Sequence, residues 1–264
     1  MAVNTDKNSY TILFAVVMVV VVGSILAFTA SSLKPNIEEN ERMEKQQNIL
    51  YAIGINGNEG PSDISFISTS EVAEAFSTKI SEQLVLESKD GQIIQVMTRE
   101  DYMAANNKQE PYLIDVKKQQ TRAKEGKSRF LPLFVGEMEG KTVYVAPIRG
   151  KGLWDEIWGY VAVDENMVVK GTFFDHAGET PGLGANIKQR YFMDDFYGEH
   201  LLSESGAFKG INVAKGNNDP KNERKEDHAV DALAGATITG DGIANMIKKD
   251  LKLYLPYFQT LKNN

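Results

Sequence analysis

From Tyr10 to Leu33 the chain is a continuous run of apolar and small residues, and no charge falls between Lys7 and Lys34. A helix of about 20 residues spans the ~30 Å hydrocarbon core of a bilayer. Valine-rich sequence has modest helix propensity in water, but in lipid every backbone polar group must be bonded internally. A transmembrane helix over residues 10–33 is therefore predicted. A cleaved export signal has an apolar stretch of about 7–15 residues, a basic leader and a small-x-small cleavage site. Here the run is longer, the leader holds Lys7 alone, and Ala27–Phe28–Thr29–Ala30 fits the cleavage pattern poorly. An uncleaved anchor is the better reading. Lys7 and the amino group favour an inside amino terminus, although Lys34, Arg42 and Lys45 stand on the other flank. Charge alone leaves the orientation open.

Behind Pro35 a charged stretch becomes apolar toward Ile55, and Met43, Gln46 or Gln47, and Leu50 share one helical face. Asn56–Asp63 is turn-rich, and Ser70–Ser77 predicts a short helix. Glu82–Met97 alternates apolar and polar residues on either side of Asp90–Gly91, a hairpin pattern. Lys117–Arg129 is the most basic run and predicts a solvated loop or helix face. From Phe130 closely spaced strands are expected at 130–139, 141–148, 156–164 and 166–174, with Glu139–Gly140 and Asp164–Glu165 at turns. A helix is expected around Gln189–His200 with Tyr191, Phe192, Phe196 and Tyr197 on its apolar side. Lys215–Asp227 reads as a polar loop. A closing helix is expected over Asp241–Tyr257, where Ile243, Met246, Ile247 and Leu251 recur at helical spacing. The fold class is α+β: one amino-terminal span, then an antiparallel sheet with flanking helices. The organisation expected is a cytoplasmic tail at 1–9, the span at 10–33, a membrane-proximal helical and hairpin region at 34–129, and a distinct domain at 130–264.

Composition narrows the chemistry. The 264 residues carry a net charge of −7, which argues against a nucleic-acid partner, since phosphate binding needs a basic face. The chain has no cysteine. That excludes disulfides, thiolate nucleophiles and iron–sulfur ligation. The three histidines, His176, His200 and His228, are too scattered to suggest a metal centre.

Three segments carry candidate chemistry. Asp231-Ala-Leu-Ala-Gly-Ala-Thr237 is a small-residue loop feeding the last helix. Gly235 and Ala236 admit a close neighbour, and the hydroxyls of Thr237 and Thr239 lie near a helix start, where free N–H groups and the helix dipole favour an anion. The plainer reading makes Thr237, Thr239 or Asp241 an N-cap. His176-Ala-Gly-Glu-Thr-Pro-Gly-Leu-Gly-Ala185 is an irregular loop built by Pro181, Gly182 and Gly184. Gly150-Lys-Gly-Leu-Trp-Asp155 places Lys151, Leu153 and Trp154 beside a strand. On composition alone Trp154 would be a core anchor.

In their order and wording these three segments resemble the C-subunit family of the sodium-translocating NADH:quinone reductase, FMN-binding-domain proteins related to the G subunit of Rnf-type complexes. The resemblance covers the anchor and roughly residues 130–260. It implies that 130–264 is an FMN-binding domain and that Thr237 carries FMN through a phosphoester formed by a dedicated flavin transferase. Asp231, Gly235 and Ala236 match the family's flavinylation motif, while Ala234 replaces its usual serine or threonine. Thr239 is a second hydroxyl two residues on and a competing acceptor. The resemblance also implies that Glu179, Thr180, Pro181, Gly182, Leu183 and Gly184 lie against the flavin. Leu153 or Trp154 is expected to pack on its ring, and Lys151 to favour the anionic reduced form. The chain is then expected to relay electrons within a sodium-exporting NADH:quinone oxidoreductase of the bacterial inner membrane. Its flavin domain would lie on the periplasmic side, among other subunits and lipid, and it would not be catalytic alone. No dinucleotide fingerprint is present, so NADH is not expected to bind this chain. Two rivals are an Rnf-type G subunit and a non-redox membrane-anchored binding or assembly module.

Overall fold

The computed structural model describes residues 8–60, 62, 64–217 and 219–262. The expected amino-terminal tail ahead of Asn8, with Lys7, lies outside the described residues, as do Pro61, Asp63 and Asn218 within the two expected loops. The chain divides into two compact units, Met1–Arg42 and Met43–Asn264.

The first unit is the exposed part of helix α1 (Asn8–Ala52, 45 residues). Its most apolar window has a mean hydropathy of 2.8 and buries none of its residues. Side chains such as Ile12, Val19, Leu26 and Phe28 lie open. Water would oppose exposure on that scale, whereas a bilayer matches it in length and polarity. The span expected at 10–33 and the helix expected behind Pro35 are one continuous helix, with Pro35 inside it. A proline costs the ladder one N–H bond, and the turns on both sides remain helical.

The second unit begins with the buried end of α1, where Ile49, Leu50, Tyr51 and Ala52 enter the core and Gln47 Nε2 donates to Ile67 O at 2.7 Å. After α2 (Val72–Lys79) come β1 (Ile80–Lys89) and β2 (Gln92–Met97). Asp90 and Gly91 both have positive φ (52° and 80°), as a two-residue turn matching strand twist requires. Helix α3 (Arg99–Ala105) was not expected, although its capping box of Thr98 and Asp101 is written in the sequence as Thr-x-x-Asp. The basic run is a helix, α4 (Val116–Lys124), which buries none of its own residues.

Strands β3 (Arg129–Met138), β4 (Lys141–Lys151), β5 (Glu156–Val163) and β6 (Val169–His176) complete a six-stranded sheet of order β2-β1-β3-β4-β5-β6. Every neighbouring pair is antiparallel. The sheet runs across residue 130, so the hairpin expected in a membrane-proximal region is hydrogen-bonded into the same sheet as the later strands. Glu139–Gly140 makes a second positive-φ turn. Asp164 closes the β5–β6 turn by accepting from Asn166 N (2.9 Å) and Val168 N (3.0 Å).

Helix α5 (Arg190–Asp194) is shorter than expected, because Gly198 has φ 83° and turns the chain away. Phe192 and Phe196 are buried, ringed with Phe174. Tyr191 and Tyr197 are exposed; a spacing of four shares a face and their positions do not join it. Strands β7 (Asn212–Val213) and β8 (Ala229–Val230) form a short parallel pair around the polar loop. Helix α6 (Thr237–Met246) starts earlier than expected. It passes through a π-helical turn (Ile247–Leu251) and a 3-10 turn into α7 (Leu255–Leu261).

One irregularity organises the carboxy-terminal layer. The β3–β4 ladder stops at Phe134↔Val145, while β1–β3 continues to Arg129 and β4–β5 to Lys151. Pro132 and Pro147 stand just beyond the last pair and have no N–H to give. Side chains from the helices take up the freed backbone groups. Gln119 Oε1 accepts from Phe130 N (3.0 Å), Gln120 Nε2 donates to Arg149 O (2.9 Å), Asp250 Oδ2 accepts from Arg149 N (2.8 Å), and Tyr254 Oη donates to Pro132 O (2.9 Å). Burial pushes the Asp250 carboxyl above its ordinary value despite these bonds.

Glu199 is fully buried, and neither carboxylate oxygen has a hydrogen-bond partner among the described residues. Burial raises its pKa to about 8; Lys225 lowers it, and Asp227, Asp219 and Asp195 add to the rise. The folded state therefore keeps a proton that the unfolded chain releases, so stability falls as pH rises from the ordinary glutamate range to about 8. Thermal melts of Glu199→Gln should lose this alkaline decline, and a slope equal to that of the wild type would refute the assignment.

Candidate functional site

The loop after β6, the loop between β4 and β5, and the start of α6 meet at a cleft of about 230 Å³. It is lined by Leu153, Glu179, Thr180, Leu183, Gly184 and the run from Gly235 to Thr239. Segments some 80 residues apart thus converge at one end of the sheet, which is how most of the residues singled out in the sequence come together. Ile238 lines the cleft as well and was not anticipated; its signal was its place between two threonines at the turn of a helix.

Close backbone packing sets α6 in place. A Cβ on Gly242 would collide with the carbonyl of Lys151, and one on Gly150 would meet Met246 Cβ at 2.9 Å. Helix and strand therefore touch almost without side chains between them. Gly235 has φ 68°, and a Cβ there would meet Leu183 Cδ2 at 2.7 Å. That position needs glycine on both counts.

The first turn of α6 is not capped. Its N-cap is Ala236, which makes no side-chain bond, so the cap role expected of Thr237, Thr239 or Asp241 falls to none of them. Thr237 is the first helical residue and is exposed. The leading N–H groups of a helix have no partner inside it, and the local dipole favours a negative charge. Thr239 is the opposite case: it is 1% exposed, and its hydroxyl donates to Glu179 Oε2 at 2.6 Å.

Glu179 holds the walls together. It is 4% exposed. Its Oε1 accepts from Trp154 N (2.9 Å) and Asp155 N (3.4 Å), and its own N–H donates to His176 Nδ1 (3.2 Å). Burial pushes its pKa up, but the hydrogen bonds from Thr239, Trp154, Asp155 and Leu153 outweigh it and hold the carboxyl below its ordinary value. It is thus an ionised acceptor near neutral pH, and its contribution to stability is lost as pH falls through that depressed value. Gly152 and Gly184 make room for it. A Cβ on Gly152 would stand 2.5 Å from Glu179 Oε1, and one on Gly184 would strike Oε2 and Thr239 Oγ1.

The rim is apolar and open. Leu153, Leu183 and Ile238 are each at least two-fifths exposed, and Trp154 beside them is 67% exposed. Trp154 is therefore no core anchor; its peptide N–H serves the clamp while its indole stands outside. Lys151 is exposed, and its carbonyl packs against Gly242 of α6. Pro181 and Gly182 form the exposed tip of their loop, where Leu183 N and Ala185 N both return to Thr180 O. Asp231 is not among the residues that line the cleft, and it accepts from Asp219 N at 3.2 Å. Among the described residues no group of three or more metal-ligating side chains is gathered.

These features fit a flavin phosphate and an aromatic ring: an uncapped helix start with a free-standing hydroxyl, flanked by exposed apolar side chains. Residues 152–252 match the FMN-binding domain family. The chain is 30% identical to the C subunit of the Na(+)-translocating NADH-quinone reductase of Pseudomonas aeruginosa, over 92% of this chain and 91% of that one. It is also 30% identical to the protein of the same name from Yersinia pestis, over 92% and 88%. Among solved structures, it superposes on the C subunit of the Na(+)-translocating NADH-quinone reductase from Parabacteroides distasonis with a TM-score of 0.66 at 28% identity, covering 86% of this chain and 96% of that one. NqrC of Shewanella oneidensis shares the fold, with a TM-score of 0.59 at 24% identity, over 85% and 99%.

The clamp predicts a sharp local sensitivity. Gly184→Ala should destabilise the protein by about 1–3 kcal/mol, the usual range for overpacking a filled site. Ala185→Gly, one residue on, should cost far less. Urea unfolding of the two variants measures this, and equal midpoints would contradict the steric account.

Proposed function

The chain belongs to the C-subunit family of the Na(+)-translocating NADH-quinone reductases, and on that premise we propose that it is the FMN-bearing electron-carrier subunit of such a complex, with the flavin esterified through its phosphate to Thr237. The observation that carries this reading is the exposed Thr237 hydroxyl on the uncapped first turn of α6, opening into the cleft. A phosphodiester there keeps one negative charge, which a helix N-terminus stabilises by about 0.3–1 kcal/mol. Leu153, Leu183 and Ile238 offer apolar surface to a ring, and Glu179 fixes the loops that carry them. FMN, when bound, supplies reversible uptake and release of electrons. The protein's share is to hold it, orient it and leave one edge open toward redox partners. The covalent bond removes any need for the cleft to enclose its cofactor, which agrees with its modest volume and open rim.

The remaining parts of the reading follow from that role. The apolar helix of the first unit anchors the chain in the bacterial inner membrane, with the amino terminus in the cytoplasm and the flavin domain on the periplasmic side. One span cannot form an ion path, so sodium export belongs to the complex and requires the other subunits. A flavin transferase supplies the maturation step, because a threonine hydroxyl needs an activating base or metal to become a nucleophile. Relatives sharing 30% identity along the length of the chain bear the sodium-translocating name, which favours this reading over an Rnf-type protein.

Co-expression with a flavin transferase, followed by denaturing electrophoresis and in-gel fluorescence, tests the linkage. Wild type and Thr239→Ala should give a fluorescent band and Thr237→Ala none. A dark wild-type band would remove both the linkage and the redox role built on it.

A further inference from the structure

Thr237 and Thr239 stand within one turn of each other, and either hydroxyl is chemically able to accept a phosphoryl group. Two residues along an α-helix are separated by roughly 200° around its axis. Rolling the first turn of α6 by half a circle would therefore exchange their places, and the sequence Thr-Ile-Thr does not say which one faces out. The structure holds the turn in one setting through the bond from Thr239 Oγ1 to Glu179 Oε2 at 2.6 Å. The carboxylate cannot follow a rolling helix. Its other oxygen is held by the peptide N–H groups of Trp154 and Asp155, its backbone N–H is tied to His176, and Gly152 and Gly184 form a slot that closely fits it.

Resting on the flavin linkage argued above, we infer that Glu179 is the positioning residue that selects the acceptor: it buries the Thr239 hydroxyl and so leaves Thr237 as the one presented to the transferase. The selection is steric rather than electronic. A threonine hydroxyl donating to a carboxylate is, if anything, the better nucleophile of the two. What disqualifies Thr239 is that it is 1% exposed and its hydroxyl is turned to Glu179 Oε2. In the transfer itself the Thr237 oxygen forms a bond to the FMN phosphorus of flavin adenine dinucleotide, and the anhydride bond breaks. Adenosine monophosphate leaves with the bonding electrons, and the hydroxyl proton passes to a base of the transferase. No oxidation or reduction occurs. The same carboxylate also links the acceptor turn to the peptide of Trp154, so acceptor and ring-side loop are set by a single group.

The full-length chain, co-expressed with a flavin transferase that uses flavin adenine dinucleotide, can be digested and its flavinylated peptide sequenced by mass spectrometry. Wild type should carry flavin on Thr237 alone, and Thr237→Ala on neither threonine. Glu179→Ala removes both acceptor oxygens, so both ends of the clamp open. Its flavin should then be divided between Thr237 and Thr239, and Glu179→Ala/Thr237→Ala should be labelled on Thr239 where Thr237→Ala was bare. Glu179→Asp, which withdraws the carboxylate, and Gly152→Ala, which crowds Oε1 while leaving Glu179 in place, carry the same expectation. Thermal melts identify which of the three variants fold. Flavin confined to Thr237 in every folded variant, with the double variant bare, overturns the selection role and leaves the linkage standing. A wild type without flavin on either threonine overturns the linkage, and this inference with it.

Discussion

A carboxylate taken out of water must be surrounded by donors or give up its charge, and Glu179 meets that requirement with groups from distant parts of the chain. Peptide N–H groups come from the β4–β5 loop and a hydroxyl from the first turn of α6. The glycines at 152 and 184 are the places where a side chain would break the arrangement. The three segments that line the cleft are thus held in register by one charge. The cleft is small and open because its walls are held from beneath rather than closed around a ligand.

The setting of α6 has a second source in the sheet. Pro132 and Pro147 end the β3–β4 ladder early, and the backbone groups left over have to be bonded elsewhere. Gln119, Gln120, Asp250 and Tyr254 supply those bonds. The carboxy-terminal helices are thereby tied to the open end of β3 and β4, while Gly150 and Gly242 bring α6 onto β4. A helix fixed at its far end by a buried polar network and at its near end by Glu179 has little freedom to turn. That setting leaves Thr237 exposed on the first turn and Thr239 buried.

The two units of the chain answer to different solvents. The first is a helix whose apolar side chains stand open, which a bilayer suits and water does not. The second buries an ordinary aromatic and aliphatic core. Within the second unit, Leu153, Trp154, Leu183 and Ile238 leave an open apolar rim beside the cleft.

Much of this was legible in residue order. The apolar run, the Asp90–Gly91 and Glu139–Gly140 turns and the strands after Phe130 are local features, set by hydrophobic period and backbone φ, and the structure follows them. The resemblance carried by the three short segments matches the family to which the chain belongs. What sequence could not supply was which side of a turn or helix faces what. The start of α6 at Thr237, the exposure of Trp154 and the burial of Thr239 all depend on contacts between segments far apart. The continuity of α1 through Pro35 and the early end of α5 at Asp194 depend on the turns on either side. Sequence determined which residue types were available for a phosphate, a ring and a membrane. Tertiary structure decided which of the two threonines is exposed, because the buried Glu179 carboxylate must be satisfied and the hydroxyl of Thr239 turns inward to it while Thr237 stands open.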